Sequence, residues 1–224
     1  MSSGHTLPRR SPLKGSGRQM SGMLERRHFL ALGIGVLAAF KAPSMSARAG
    51  QVHEPGIRGR LAPDLEVGYW IDRDGAHTRF SMDELRGKWV YLKFFQNWCP
   101  GCHAHGFPAL KQVADRYAND DRVAVLAVQT VFEGFGSNTQ ESVRELQMRY
   151  QLPIKMGHDP GDPGGDHLPA TMRRYRSGGT PWVVIIDPAG FVVFNDFHVD
   201  PDKLIAFLDA QLAEASRSPH RIPP

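Results

Sequence analysis

Hydrophobic and polar positions change period several times along the chain, and each change marks an element. Trp89 to Phe95 (WVYLKFF) is a nearly continuous run of aromatic and aliphatic residues bounded by loop residues, the pattern of a strand buried on both faces. Arg122 to Thr130 (RVAVLAVQT) is a second such strand. Between them, Pro100 to Ala118 carries Leu110, Val113, Ala114 and Tyr117 on one stripe, which predicts a helix kinked at Pro108. Ser137 to Gln140 reads as a capping box opening a helix through about Tyr150, and Ile154 to Gly157 as a short strand. Leu168 to Arg176 reads as a short helix ended by Gly178-Gly179. Trp182 to Ile186 and Phe191 to Asn195 are strands joined by the turn Asp187-Pro188-Ala189-Gly190. Asp200-Pro201 opens a last helix through about Ser216. Upstream, Asp72-Arg73-Asp74-Gly75 is a turn between two strand-like pieces, and Ser81-Met82-Asp83-Glu84 is a capping box whose helix Gly87 closes. Strands alternate with helices and an antiparallel hairpin comes near the end, so the expected architecture is an α/β layered sheet.

The front of the chain follows another pattern. Arg26-Arg27 precede an apolar run from Phe29 to Phe40, and Ala47-Arg48-Ala49 follows as a small-x-small cleavage site. That order is the one a secretory signal peptide uses. The run falls short of the roughly 20 apolar residues needed to cross a bilayer. Arg-Arg followed by His28-Phe29-Leu30 resembles a twin-arginine export signal. Residues 1 to 49 are therefore expected to be a leader plus export signal, placing the mature chain outside the cytoplasm, in a bacterial periplasm.

Composition changes this picture little, but charge does. The chain has 224 residues, 41% hydrophobic and 22% charged, as ordinary globular proteins do. The formal net charge is +4, yet eight of the Lys and Arg residues and a single acid lie before position 50. The remainder carries 19 basic and 22 acidic residues, about −3 net. A mildly acidic body lacks the basic face that nucleic-acid binding needs.

The two cysteines of the chain stand in Trp98-Cys99-Pro100-Gly101-Cys102-His103. Two cysteines are too few for a disulfide scaffold. Cys-x-x-Cys is a dithiol redox motif, while Cys-x-x-Cys-His is also a c-type haem attachment motif. A hydrophobic strand leads into the motif and a helix leaves it, which redox chemistry uses and haem attachment does not require.

Taken with Thr180-Pro181 before an apolar strand and hairpin, these residues resemble the thioredoxin superfamily, and the segment LRGKWVYLKFFQNWCPGC resembles its TlpA-like, or redoxin, branch of exported disulfide reductases, related to AhpC/TSA proteins. The resemblance covers roughly residues 60 to 215. It implies a thioredoxin-like α/β fold: a central mixed sheet flanked by helices, an N-terminal β extension, and an insertion between the helix after the cysteines and the strand after Pro181. The implied organisation is a leader and signal at 1–49, a linker at 50–60, the domain at 61–217 and a tail at 218–224. It implies Cys99 as nucleophile, at a helix N-terminus where free N–H groups and the dipole favour a thiolate, and Cys102 as the thiol that resolves the mixed disulfide. Pro181 would be cis and packed on the cysteines, and Thr180 and Trp98 would meet the substrate. The dithiol is the redox centre, with no separate cofactor and no metal. The implied partners are protein disulfides and a membrane thiol reductant that recycles the pair.

Three alternatives stay open on the residues. A peroxidase of the neighbouring peroxiredoxin type would place Pro and Thr or Ser seven and three positions before the reactive cysteine, where this chain has Leu92 and Gln96. A copper chaperone would use Cys99, Cys102 and His103 or His105. A haem protein would use CPGCH. Two residues could tune the site. Lys93 stands six positions before Cys99, where the resembled family often carries a buried acid. It either faces the dithiol, favouring its reduced form and making the pair more oxidising, or sends its ammonium to water. Glu133 is a candidate proton acceptor or a solvated loop acid.

Overall fold

A computed structural model describes residues 54–161 and 168–217. The leader and signal expected at 1–49 and the tail at 218–224 lie outside the described residues.

The element order is β1 (Tyr69–Ile71), β2 (His77–Thr78), β3 (Trp89–Phe95), α1 (Phe107–Arg116), β4 (Val123–Val131), α2 (Gln140–Arg149), β5 (Lys155–Pro160), α3 (Ala170–Tyr175), β6 (Trp182–Ile186), β7 (Val192–Asp196) and α4 (Pro201–Arg217). They form one seven-stranded sheet in the order β2-β1-β5-β4-β3-β6-β7. β3, β4 and β5 are parallel, each joined to the next by a crossover through a helix, while β6, β7, β1 and β2 pair antiparallel. The fold is thioredoxin-like. The β1–β2 hairpin is the N-terminal β extension, and β4, α2, β5 and α3 stand between the helix after the cysteines and β6.

Period two along β3 sorts its residues between two cores. Tyr91 and Phe95 point to the face covered by α1, α2 and α4, with Phe107, Leu110, Val143, Leu146, Leu204 and Leu208. Val90, Leu92 and Phe94 point to the other face, with Ile57, Trp70, Tyr175 and Trp182. All seven residues of β3 are buried. By the same period Lys93 shares the α1 face with Tyr91 and Phe95.

The structure departs from the expected elements in four places. The capping box of α2 is built by Thr139 and Ser142, because Ser137 instead donates to the Gly134 carbonyl in the preceding turn. α3 ends at Arg176 in the left-handed region (φ 48°), before the glycines are reached. β5 runs through Pro160, since parallel pairing with β4 extends its bonding partners. The irregularity near Pro108 is a π-helical stretch at Cys102–Gly106, where the N–H of Phe107 reaches the carbonyl of Cys102. Pro108 has no N–H to give to Ala104, so the turn before it widens. Residues 56–62 lie along β7, with Ile57 N–H held by the Asn195 side chain at 2.8 Å and Leu61 bridged to Phe191.

Candidate functional site

Cys99 follows β3 and precedes the first helical residue, Pro100. Its carbonyl accepts from the N–H groups of Cys102 and His103 at 3.1 and 3.3 Å, so it occupies the capping position of that helical turn. Its Sγ accepts a hydrogen bond from the N–H of Cys102 at 3.3 Å and donates to the carbonyl of Thr180 at 3.4 Å. A sulfur in that place takes up an N–H that the helix end leaves free, and the dipole favours negative charge on it. Both cysteines are free thiols here. Cys99 is 6% exposed and Cys102 is wholly buried behind it. Burial, and then its hydrogen bond with Cys99, push the Cys102 thiol up to about 12.

The Thr180–Pro181 peptide is cis, and the proline ring stands against the helical turn: a methyl group added at Gly101 would sit 3.3 Å from Pro181 Cδ. Trp98 is 45% exposed beside Cys99. Its indole lies against Gly134, where a methyl group would meet Cδ1 and Nε1 at 2.6 Å. Gly134 also has φ +61°, so position 134 requires glycine on both counts. Trp98, Cys99, Thr180 and Pro181 are thus brought together.

Lys93 faces the dithiol side of the sheet. It is only 2% exposed, and a methyl group at Gly106 would lie 3.1 Å from its Cε and 3.3 Å from its Nζ. Burial lowers its ammonium to about 8, while thiolate charge on Cys102 and on Cys99 acts to raise it. Among the described residues no carboxylate pairs with it. Glu133 is exposed. Its backbone is used by the site, its N–H donating to Gln96 Oε1 at 3.4 Å, but its carboxylate makes no hydrogen bond among the described residues.

Three supporting residues carry no decisive sequence signal. Buried Gln96 joins the two loops that flank Cys99: beyond Glu133, its Nε2 donates to Thr180 Oγ1 at 3.5 Å. Asn138 accepts from Asn97 N–H at 2.6 Å and donates to the carbonyls of Glu133 and Gly134. His103 bridges the Asn97 carbonyl, through Nε2, and the Tyr150 hydroxyl, at 2.6 Å through Nδ1. A carbonyl only accepts, so Nε2 carries hydrogen and both ring nitrogens are engaged. A polar residue in a loop reads the same whether it faces water or ties two loops together, which is why pattern alone does not single these out. His158 and Asp159, on β5, are buried and bonded elsewhere, His158 to Gln129 and Asp159 to Thr171, whose hydroxyl also reaches Thr130. Among the described residues no three His, Cys, Asp or Glu side chains stand close enough to hold a metal ion, and no helix is long and apolar enough to cross a membrane.

Comparison with known proteins agrees with the fold. The AhpC/TSA family model matches residues 58–195, more than half of the chain. The thioredoxin-like protein YneN of Bacillus subtilis (strain 168) is 27% identical over 147 residues, which are 65% of this chain and 74% of that protein. The crystal structure of the thioredoxin-like superfamily protein SPOA0173 is similar at 33% identity and a TM-score of 0.59, covering 68% of this chain and 95% of that one. A thiol-disulfide isomerase from Corynebacterium glutamicum is similar at 31% identity and a TM-score of 0.57, covering 66% and 95%. The chain belongs to the AhpC/TSA family, among the thioredoxin-like thiol–disulfide oxidoreductases.

Proposed function

We propose that the protein is an exported, periplasmic protein-disulfide reductase of the TlpA-like type, working through Cys99 and Cys102. The observation that carries this reading is the position of Cys99 Sγ, on the N–H of Cys102 and 3.4 Å from the Thr180 carbonyl, beside an exposed Trp98. The Cys99 thiolate attacks a disulfide of an extended protein segment laid against Trp98, Thr180 and Pro181. One sulfur of the substrate leaves as a thiolate and the other stays bound to Cys99. Cys102 then gives up its proton and attacks Cys99 Sγ. The substrate is released with both sulfurs reduced, and the pair is left as a disulfide. A membrane thiol carrier returns the two electrons. Export rests on the Arg26-Arg27 signal pattern.

The alternatives have less support. Gln96, at the position of the peroxidase hydroxyl residue, is buried and spent on Thr180 and Glu133. His103 has both ring nitrogens occupied, which suits neither haem nor copper ligation.

The uncompensated ammonium of Lys93 favours thiolate at the pair, so it raises the reduction potential. The expected value lies above that of thioredoxin, about −270 mV, and below that of the strongest periplasmic oxidant, about −120 mV. Equilibration in glutathione buffers, read by Trp fluorescence, measures it. Cys99→Ser is expected to abolish exchange, and Cys102→Ser to accumulate mixed disulfides with substrate. Full turnover by Cys102→Ser, or peroxide consumption as fast as disulfide reduction, would sink the reading.

A further inference from the structure

Asn97 and His103 flank the dithiol. Asn97 stands between β3 and Trp98, and His103 directly follows Cys102 in the π-helical stretch. The His103 backbone N–H donates to the Cys99 carbonyl at 3.3 Å. Its half-buried ring donates from Nε2 to the Asn97 carbonyl, and Nδ1 then accepts from the Tyr150 hydroxyl at 2.6 Å. The ring is itself held from behind. Its centroid lies 5.5 Å from that of Phe107 and 5.9 Å from that of Tyr150, and those two rings stack on each other at 4.4 Å. Phe107 is fully buried and Tyr150 closes α2, so His103 is braced by the core rather than by another loop.

Asn97 is held from the other side as well. Its N–H donates to Asn138 Oδ1 at 2.6 Å, and its side-chain amide donates to the Ser137 carbonyl at 2.9 Å. Both partners belong to the 133–138 loop, which also sets Gly134 against the Trp98 indole. The Asn97 carbonyl and the Trp98 N–H share one planar peptide. Holding that carbonyl fixes the plane from which Trp98, and then Cys99, leave. Trp98 is too exposed for burial to fix its ring. The bonds of the peptide before it do so instead.

We propose that His103 is a positioning residue which, through the Asn97–Trp98 peptide, holds the indole ready for an extended protein segment and so gives the pair a preference for protein disulfides over small ones. The inference rests on the proposed reductase reading and names what sets its substrate class. A small disulfide needs only access to Cys99 Sγ. A protein segment also lies against Trp98, and a ring already in place spares the cost of ordering it on binding. The His103–Asn97 bond touches no reacting atom. Its loss weakens the bound substrate and the transition state alike, which raises KM and leaves kcat.

The test separates the two bonds of the one ring. A glutamine amide nitrogen extends about as far from Cβ as Nε2 does, and an asparagine amide nitrogen about as far as Nδ1. His103→Gln therefore keeps a donor for Asn97 and gives up Tyr150, while His103→Asn does the reverse. The pre-reduced full chain is mixed with rising concentrations of insulin, as a protein-disulfide probe, or of glutathione disulfide, and formation of the Cys99–Cys102 disulfide is followed after acid quenching. In His103→Asn the half-saturating insulin concentration should rise roughly three- to ten-fold, the effect of one hydrogen bond. Its limiting rate, and its rate constant with glutathione disulfide, should stay within about two-fold of the wild type. His103→Gln should match the wild type, and so should Tyr150→Phe, which keeps the stacked rings and the Asn97 bond. Acrylamide quenching reads the indole directly, because Trp98 is exposed while Trp70, Trp89 and Trp182 are buried. It should increase in His103→Asn and not in His103→Gln. An equal rise in His103→Gln and His103→Asn, an equal loss with insulin and with glutathione disulfide, or unchanged quenching in His103→Asn overturns the proposal. A wild type oxidised by neither probe fails the reductase reading, and quenching then still decides whether His103 places Trp98. A wild type oxidised by both, with no split between them in His103→Asn, fails this inference alone.

Discussion

Lys93 sets two opposing demands on one residue. Its ammonium is lowered from about 10.5 to about 8 by burial, a penalty on the charged form of roughly 3 kcal/mol at one pKa unit per 1.36 kcal/mol. Lys93→Met keeps the length and removes the charge. It is expected to raise stability at pH 7 by up to that amount, read as a higher urea midpoint, and to make the reduction potential more negative. The pH dependence has a definite sign. Between about 8 and 10.5 the unfolded lysine holds a proton that the folded one has lost, so this group's contribution to stability rises with pH across that window. The advantage of Lys93→Met therefore shrinks between pH 7 and pH 10. An advantage that stays constant would mean that the ammonium is not desolvated.

At the scale of elements, the site depends on how loops are pinned to helix and strand ends. The 133–138 loop holds Trp98 because Gly134 lets the indole lie on its backbone. Gly134→Ala places a Cβ on that ring and in a left-handed conformation that costs a non-glycine residue about 1–2 kcal/mol. A lower urea midpoint and altered Trp fluorescence are expected, with Cys99 still reactive. Unchanged fluorescence would show that Trp98 does not rest there. The start of α2 separates two near-equivalent candidates. Thr139→Ala removes the cap and should cost about 1 kcal/mol. Ser137→Ala, in an exposed turn, should stay within about 0.5 kcal/mol. Equal losses would mean that the helix begins elsewhere. Pattern located this helix but not its cap, because Ser137 and Thr139 both suit an N-cap and only the packing of the turn chooses between their hydroxyls.

For the whole molecule, sheet order decides which parts open together. β3 lies between β4 and β6 and is buried on both faces, whereas β2 is a two-residue strand at an edge. Amides of β3, β4 and β6 should exchange hydrogen most slowly, and those of β1 and β2 much sooner, because edge pairs open without breaking the core. Equal protection would mean that the β1–β2 hairpin unfolds only with the whole sheet. Cys99 and Trp98 both follow β3, the strand expected to be best protected, in the short segment between it and the helical turn that carries Cys102.

By itself the sequence determined the strands β3, β4 and β6, the helices after them, the dithiol and its helix-terminal setting. Those are local facts: runs of apolar residues, period, turn residues and a two-residue spacing between cysteines. It also led to Thr180-Pro181, through resemblance to a family rather than through any local signal. Tertiary structure alone decided which way Lys93 faces. Period two puts it on the face of Tyr91 and Phe95, but that face is the dithiol's face only because α1 folds back over β3 at Gly106. The same holds for Gln96, Asn138 and His103, whose partners are up to 84 residues away in the chain. A hydrogen bond between distant loops leaves no period and no spacing in the sequence, because its geometry exists only once the sheet has brought the loops together.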